Sequence, residues 1–203
     1  MPKTPHVGED ELLRRAVRGD EDAFLEIYRA HQASLYRYAV RMSGSPWAAE
    51  EIVQEVFLTL LRAPSKFDSA RGLLGAYLFG IARNRVLKHL ERAPREVPLE
   101  PDSEANAEVH GSQADKLAHM QTPAAWAERS QLTEHVHEAV LRLPPDFREA
   151  VVLCELEELS YKEAARLLDC PIGTIRSRLH RARALLLAKL EMWRSVPRRA
   201  TAR

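Results

Sequence analysis

The sequence predicts an all-α protein built from two small helical domains that are joined by a flexible acidic linker. Apolar residues recur with a helical period of about 3.6 along nearly all of the chain, and strand-like alternation is missing. This period fails between residues 93 and 127, where prolines stand among acidic and small residues, as is typical of a linker. Residues 160–190 have the pattern of a helix, a short break and a second, basic helix.

The charge of the chain is nearly balanced in total but unevenly distributed. The formal net charge is +1. From Thr174 onward nine basic residues face one acidic residue, Glu191, whereas residues 93–128 are mainly acidic. A basic end of this kind favours a nucleic-acid partner. The basic residues are Arg176, Arg178, Arg181, Arg183, Lys189, Arg194, Arg198, Arg199 and Arg203.

The sequence gives little support for a secreted protein or a membrane protein. Residues 1–8 form a short N-terminus that we expect to be disordered, and they lack the apolar core of a signal peptide. No run approaches the roughly 18 apolar residues of a membrane span, so we expect no membrane insertion and a cytoplasmic protein.

Metal binding and catalysis are also disfavoured. Cys154 and Cys170 lack a paired metal-ligand spacing and are interpreted as two reduced thiols, and His135 and His137 point apart on a helix. No nucleophile stands beside a base, and no glycine-rich phosphate loop is present. We therefore expect no catalytic residues, no metal, no cofactor and no small-molecule substrate.

The first predicted domain, residues 9–92, contains four helices. The first covers residues 9–18. The second follows the cap Asp20 and ends near residue 42, and the third follows the cap Ser45, with Pro46 in the first helical position, and ends near residue 62. A loop over residues 63–72 leads to the fourth helix, at about 73–92.

Two surfaces of this domain allow a functional and a structural interpretation. The third helix has an acidic face around Glu51, Gln54 and Glu55, which is either simply solvated or a partner surface. The fourth helix is strongly basic in its second half and lies near three aromatic residues, Phe67, Tyr77 and Phe79. Basic groups beside aromatic rings suit single-stranded nucleic acid, although a basic helix end beside core aromatics would give the same pattern.

The second predicted domain, residues 128–191, ends in the helix-turn-helix candidate, and a basic tail over residues 192–203 follows. Ser160 and Glu163 form a capping box that starts one helix, and Asp169 to Pro171 form the break before the next. Such a second helix enters the major groove of DNA, unless its charges are merely solvated. Its outward residues are Thr174, Arg176, Ser177, His180 and Arg181, with Arg178 and Arg183 on either side.

Five stretches together resemble the extracytoplasmic-function sigma factors, the small initiation factors of the sigma-70 family that keep only regions 2 and 4. In the order and spacing of that family the chain has GDEDAFLEIYRAH, AAEEIVQEVFLTLLR, KFDSARG, AYLFGIARNRVLKHLER and LPPDFREAVVLCELEELSYKEAARLLDCPIGTIRSRLHRAR. Together they cover nearly all of the chain except the linker and the tail.

The resemblance implies a sigma factor that directs core RNA polymerase to particular promoters. Glu51, Gln54 and Glu55 would contact the clamp helices of the β′ subunit, and region 4 would contact the β flap. The second helix of the helix-turn-helix would read the −35 element through the seven residues from Thr174 to Arg183 named above. The loop and helix that melt and read the −10 element would be represented by Lys66, Phe67, Asp68, Arg71, Tyr77, Arg83, Asn84, Arg85, Lys88 and Arg92.

The same resemblance implies that the acidic linker lies in the RNA path of the polymerase and that an anti-sigma factor is a partner. The alternative is a helix-turn-helix regulator that acts without replacing sigma. Four positions depart from the family pattern, which commonly has tryptophan at Tyr77, a larger residue at Gly80, glycine at Asp169 and a serine-like cap at Pro171.

Overall fold

The computed structural model describes residues 7–92 and 133–195. Within these two ranges the chain forms helices and connecting turns without any strand, which confirms the predicted all-α class. The predicted linker, the start of the second domain at residue 128 and most of the basic tail lie outside the described residues.

The first range contains four helices, α1 (Val7–Val17), α2 (Glu21–Ser43), α3 (Pro46–Arg62) and α4 (Leu74–Arg92). A single 3-10 turn, Pro64–Lys66, lies between α3 and α4. Helix α1 begins two residues before the predicted start at residue 9. The other boundaries lie within about one residue of the prediction because each helix has a local start or stop signal.

Those signals are visible as hydrogen bonds. Asp20 Oδ1 accepts from the backbone N–H of Ala23 at 3.1 Å, and Ser45 Oγ accepts from the N–H of Ala48 at 3.2 Å, so both residues are N-caps as predicted. Helix α1 ends at Val17 and is followed by Gly19, whose φ of 93° is left-handed and suits glycine.

Helices α1 to α4 pack around one apolar core. Helical periodicity predicts six core residues on α3, all of which are buried, and α2 and α4 add Leu35, Tyr38, Leu74 and Leu78. Phe24, Tyr28 and Phe57 form an aromatic cluster with ring centroids 4.8 to 6.2 Å apart. The six residues of α3 are Ala49, Ile52, Val53, Val56, Phe57 and Leu60.

The second range contains a helix over residues 133–141, which we call α5, and then α6 (Pro145–Val151), α7 (Tyr161–Leu167) and α8 (Ile172–Ser195). Helical periodicity in the sequence predicts one helix from about residue 146 to 158, and the structure corrects this in detail. Helix α6 passes into a π-helical turn, Val152–Leu156, and the chain then reverses at Glu158, whose φ is 57°. Helical periodicity also predicts Val136 and Tyr161 in the core, but both are exposed.

The two ranges share a continuous apolar core, to which α5, the turn after it, α6 and the π-helical turn contribute Val140, Leu143, Ala150 and Leu153, respectively. Helix α2 contacts the π-helical turn, and α4 contacts α7. Cys154 and Cys170 are half-buried free cysteines, and burial raises the pKa of Cys154 to about 11.

Candidate nucleic-acid interface

The helix-turn-helix motif is formed by α7, a turn over Leu168 to Pro171, and α8. Ser160 and Glu163 form the predicted capping box, in which Ser160 Oγ accepts from the N–H of Glu163 at 3.2 Å and Glu163 Oε2 accepts from the N–H of Ser160 at 2.9 Å. The helix is therefore fixed at its start by both residues.

The turn itself is a Schellman motif. The N–H of Cys170 donates to the carbonyl of Ala165 at 3.0 Å, and the N–H of Asp169 donates to that of Arg166 at 3.4 Å. Asp169 adopts a left-handed φ of 48°, the conformation that glycine would provide at this position. The motif thus forms where the sequence predicts it, with an aspartate in the strained position.

Helix α8 presents a polar and basic face to solvent. Arg176, Ser177, His180 and Arg181 are exposed, and Thr174 is partly exposed. Ile175, Leu179 and Ala182 on the opposite side are buried against the rest of the domain. The exposed face carries the guanidinium groups of Arg176 and Arg181, which are of the chemical type that binds base edges and phosphates.

The two flanking arginines are held by α6 and the π-helical turn. Arg178 Nη2 lies 2.7 Å from Asp146 Oδ2, and Arg183 Nη2 lies 2.5 Å from Glu155 Oε1. These ion pairs fix α8 against α6 and the π-helical turn. Of the seven predicted −35 residues, these two are the ones held by ion pairs, and Ser177 Oγ donates to the carbonyl of Thr174 at 2.9 Å.

Three of the predicted −10 residues share one face of α4. Tyr77, Asn84 and Lys88 are spaced by seven and four positions, which places them within a narrow sector of the helix, and Asn84 and Lys88 are exposed. The ring of Phe67, from the preceding loop, lies 5.5 Å from the ring of Tyr77. Burial raises the pKa of Tyr77, so its hydroxyl stays protonated.

Two arginines in the middle of α4, Arg83 and Arg85, point away from this face. Arg85 faces α3, where it lies 3.1 Å from Glu55 Oε2 and donates to Thr59 Oγ1 at 3.1 Å. Arg83 faces the second domain, where its Nε donates to Glu149 Oε1 at 2.8 Å. The remaining predicted residues, Lys66, Asp68, Arg71 and Arg92, are exposed, and Asp68 Oδ1 accepts from the N–H of Ala70 at 3.0 Å.

A third surface lies on α3. Glu51 and Gln54 are exposed, and Glu55 is partly covered by its ion pair with Arg85. Trp47 is 72% exposed on the same face, with Leu58 at 41% and Leu61 at 39%. The charge pattern of the sequence predicts only the polar residues, although the spacing 47, 51, 54, 58, 61 is a helical stripe that also includes the apolar ones.

The fold and these surfaces define a two-domain helical protein with a DNA-reading helix-turn-helix. Residues 27–96 match the protein family described as "Sigma-70 region 2", and residues 133–186 match the family described as "Sigma-70, region 4". The chain belongs to the extracytoplasmic-function sigma factors of the sigma-70 family.

Individual relatives are similar over most of their length. The RNA polymerase sigma-H factor of Pseudomonas aeruginosa is 34% identical over 181 residues, which are 86% of this chain and 90% of that protein. The ECF RNA polymerase sigma-E factor of Escherichia coli K12 is 34% identical over 185 residues, or 89% of this chain and 93% of that protein.

A solved structure with the same fold is the sigma factor RpoE from Bartonella quintana in complex with the anti-sigma factor NepR. It is 26% identical with a TM-score of 0.64, and the match covers 83% of this chain and 96% of that chain. In the part of the chain that the structure describes, no helix has the length and apolar character needed to cross a membrane.

Proposed function

We propose that this chain is an alternative sigma factor that binds core RNA polymerase and directs promoter-specific initiation without performing chemistry itself. The observation that carries the proposal is that one chain presents three separate surfaces: the α8 face, the α4 face with its preceding loop, and the α3 stripe. A repressor that only binds duplex DNA would need the first of these alone.

The α8 face is suited to duplex DNA at the −35 element. Arg176 and Arg181 can each place a two-pronged guanidinium on guanine O6 and N7, while Ser177 and His180 can add single contacts. Arg178 and Arg183 support the helix through α6 and its π-helical continuation.

The α4 face and the loop before it are suited to the melted −10 element. Extruding a base costs a few kcal/mol, and stacking on aromatic rings together with phosphate contacts recovers this cost. Phe67 and Tyr77 supply the rings, and Lys66, Arg71 and Lys88 supply exposed positive charge on the same loop and helix.

The α3 stripe is suited to the β′ clamp helices of the polymerase. An exposed tryptophan in line with aliphatic and polar groups has the composition of a protein-binding hot spot. Trp47, Leu58 and Leu61 provide the apolar part, and Glu51 and Gln54 provide the polar rim. A contact between the second domain and the β flap completes the assembly.

Further elements of the proposal follow from the family. Sigma factors act where the polymerase is, so we place this one in the cytoplasm. The solved relative from Bartonella quintana is bound to an anti-sigma factor, and we extend that kind of partner to this chain.

Reconstitution with core polymerase tests the proposal. The chain and core enzyme are incubated with fragmented genomic DNA, bound fragments are recovered, and run-off transcription is measured on them. We expect transcripts that depend on both the chain and the selected promoter. DNA binding that does not require polymerase, with no transcript from any selected fragment, would instead identify a helix-turn-helix regulator that does not replace sigma.

A further inference from the structure

Arg85 joins the two helices that carry the α3 stripe and the α4 face. Its Nη2 lies 3.1 Å from Glu55 Oε2 and donates to the hydroxyl oxygen of Thr59 at 3.1 Å. Glu55 and Thr59 are four positions apart on α3 and therefore lie on the same side of that helix. One guanidinium nitrogen is thus held by two groups of the neighbouring helix, and we call this contact the Arg85 bridge.

The Arg85 bridge lies between the surfaces that we assign to polymerase and to the −10 strand. Arg85 directly follows Asn84 of the α4 face, and Glu55 directly follows Gln54 of the α3 stripe. Consecutive residues of an α-helix point about 100° apart, so each bridge residue lies on the flank of its surface. Because Arg85 and Glu55 are in contact, these two flanks meet at the bridge.

The bridge adds direction to an otherwise apolar contact between the two helices. Val56 and Leu60 of α3 are buried, as are Ala82 and Val86 of α4. Apolar burial is non-directional, and packed helices can shift past each other by about 1 to 2 Å. The hydrogen bond and the ion pair of a guanidinium persist only within a narrow range of distance and angle, so the Arg85 bridge disfavours such shifts.

The side chain of Arg85 is better placed to hold α3 than to hold DNA. The side chains of Arg85 and Glu55 are only 36% and 35% exposed. If the guanidinium turned to a phosphate, the partly covered carboxylate and the hydroxyl of Thr59 would lose their partner, which is unfavourable. Lys88, three positions further along α4, is exposed and can supply positive charge to the strand without breaking the bridge.

We propose that Arg85 is a positioning residue for promoter recognition. Through Glu55 and Thr59 it fixes the α4 face at one angle and distance from the α3 stripe. When polymerase holds the stripe, the place of Asn84 and Lys88 relative to polymerase depends on this bridge, and a displacement of about 1 Å is enough to weaken the contacts of a preorganised site. The inference rests on the proposed function, because it requires both surfaces to be occupied together.

Thr59 offers a test that changes no charge. Holoenzyme is assembled with Thr59→Val, which removes the accepting hydroxyl, and with Thr59→Ser, which keeps it. Fluorescence anisotropy measures the affinity for a single-stranded −10 oligonucleotide from a selected promoter. We expect Thr59→Val to bind this strand about two- to fivefold more weakly and Thr59→Ser to stay within about twofold of the original chain.

Arg85→Ala distinguishes a positioning role from a phosphate contact through the salt dependence of strand binding. We expect an affinity about three- to tenfold lower, with the slope of log affinity against log salt unchanged. A lost phosphate contact would instead reduce the magnitude of that slope by about 0.7. Arg85→Ala combined with Thr59→Val should bind the strand as Arg85→Ala alone does, because both changes break the same contact. A reduced slope, or additive losses in the double variant, would overturn the proposal.

Controls separate the bridge from general effects on charge and assembly. Core enzyme is kept saturated with each variant, so that weaker assembly is not mistaken for weaker strand binding, and circular dichroism verifies that the helices are kept. The affinity of each holoenzyme for a −35 duplex should be unchanged, since neither Arg85 nor Thr59 belongs to the α8 face. Arg29→Ala removes an exposed arginine from α2 and should alter neither strand affinity nor its salt slope. An equal loss in this control would reduce the effect to net charge and overturn the proposal.

The inference and the proposed function fail in different ways. If the original chain binds the strand and gives run-off transcripts while Thr59→Val and Arg85→Ala bind it equally well, the positioning role is overturned and the sigma function stands. If the original chain gives neither strand binding nor transcripts, the sigma function is contradicted and the positioning role fails with it.

Discussion

Asp169 is held by the fold in a backbone conformation that is strained for a residue other than glycine. Its φ of 48° is imposed by the Schellman motif that ends α7, and an aspartate tolerates this region better than most residues but less well than glycine. The strain is confined to the turn that sets the angle between the two helices of the motif.

Replacing Asp169 with glycine should therefore stabilise the protein. We expect Asp169→Gly to raise the free energy of unfolding by about 0.5 to 1 kcal/mol, because relief of the left-handed strain exceeds the added entropy of the unfolded chain. Urea denaturation followed by circular dichroism measures it. The reverse change at an equivalent turn, Gly19→Asp, should lower stability because Gly19 has a left-handed φ of 93°. The space around Gly19 is open, so the loss would come from backbone strain and not from a steric clash. Equal stability for Asp169→Gly and the original would show that the turn carries no strain.

Single residues also show what could be read from the sequence. The caps Asp20 and Ser45 and the box of Ser160 and Glu163 were predicted because each acts through neighbours within three positions. The left-handed Glu158 was not predicted, and Tyr161 was wrongly placed in the core, because both depend on how the π-helical turn directs the chain afterwards.

At the scale of the element, α8 combines two kinds of arginine that look alike in sequence. Arg176 and Arg181 are exposed, whereas Arg178 and Arg183 are tied to Asp146 and Glu155. Helical periodicity predicted the outward face, but the acidic partners lie about 30 positions away and could not be paired by inspection.

The difference predicts opposite phenotypes for neighbouring arginines. Arg181→Ala should weaken binding of holoenzyme to a −35 duplex by about 1 to 3 kcal/mol, because a base contact is lost. Thermal stability should be unchanged, because Arg181 makes no contact within the domain that the substitution would remove. Arg178→Ala should lower the free energy of unfolding by about 0.5 to 1 kcal/mol through loss of a partly exposed ion pair. Gel-shift titrations and thermal melts measure the two effects. A reduced salt slope without altered base preference would reassign Arg181 to phosphate contact.

Helix α3 gives a second prediction at this scale. Trp47→Ala combined with Gln54→Ala should weaken binding to core polymerase by about 2 kcal/mol or more, because a buried interfacial tryptophan is typically a hot spot. The fold should be unaffected, since Trp47 is 72% exposed. Glu55 is left intact because its removal would also free Arg85. Affinity is measured by fluorescence anisotropy with labelled core enzyme, and undiminished binding would return this stripe to a merely solvated face.

At the scale of the whole molecule, the sequence indicated two domains but not their contact. Glu149 and Glu157 occur in a helical region rich in charge and resemble ordinary surface residues in the sequence. Their partners are far away in the chain, 120 positions in the case of Arg37 and Glu157. Only the tertiary arrangement brings these groups together, and local pattern carries no information about it.

The same contact should respond to pH through His137. This half-buried residue of α5 has its pKa lowered below 6.5, first by burial and then by the positive charge of Arg41 on α2. The unfolded chain therefore binds a proton more readily, so the stability that His137 contributes is full above pH 6.5 and is lost as pH falls through the folded value. Urea unfolding should show a decline from pH 7.5 to 5.5 that is smaller in His137→Gln. Identical pH profiles for the two proteins would contradict the assignment.

The π-helical turn at Val152–Leu156 has the effect of a one-residue insertion in a regular helix. On an uninterrupted α-helix, positions eight apart point about 80° away from each other, whereas positions seven apart differ by only about 20°. Because the wide turn takes up one additional residue, the angle between Glu149 and Glu157 is close to that of residues seven apart. Both carboxylates therefore face the first domain. Deletion of one residue from this turn would be expected to rotate Glu157 and everything after it, so the orientation of the DNA-reading helix and the docking of the two domains depend on the same irregular turn.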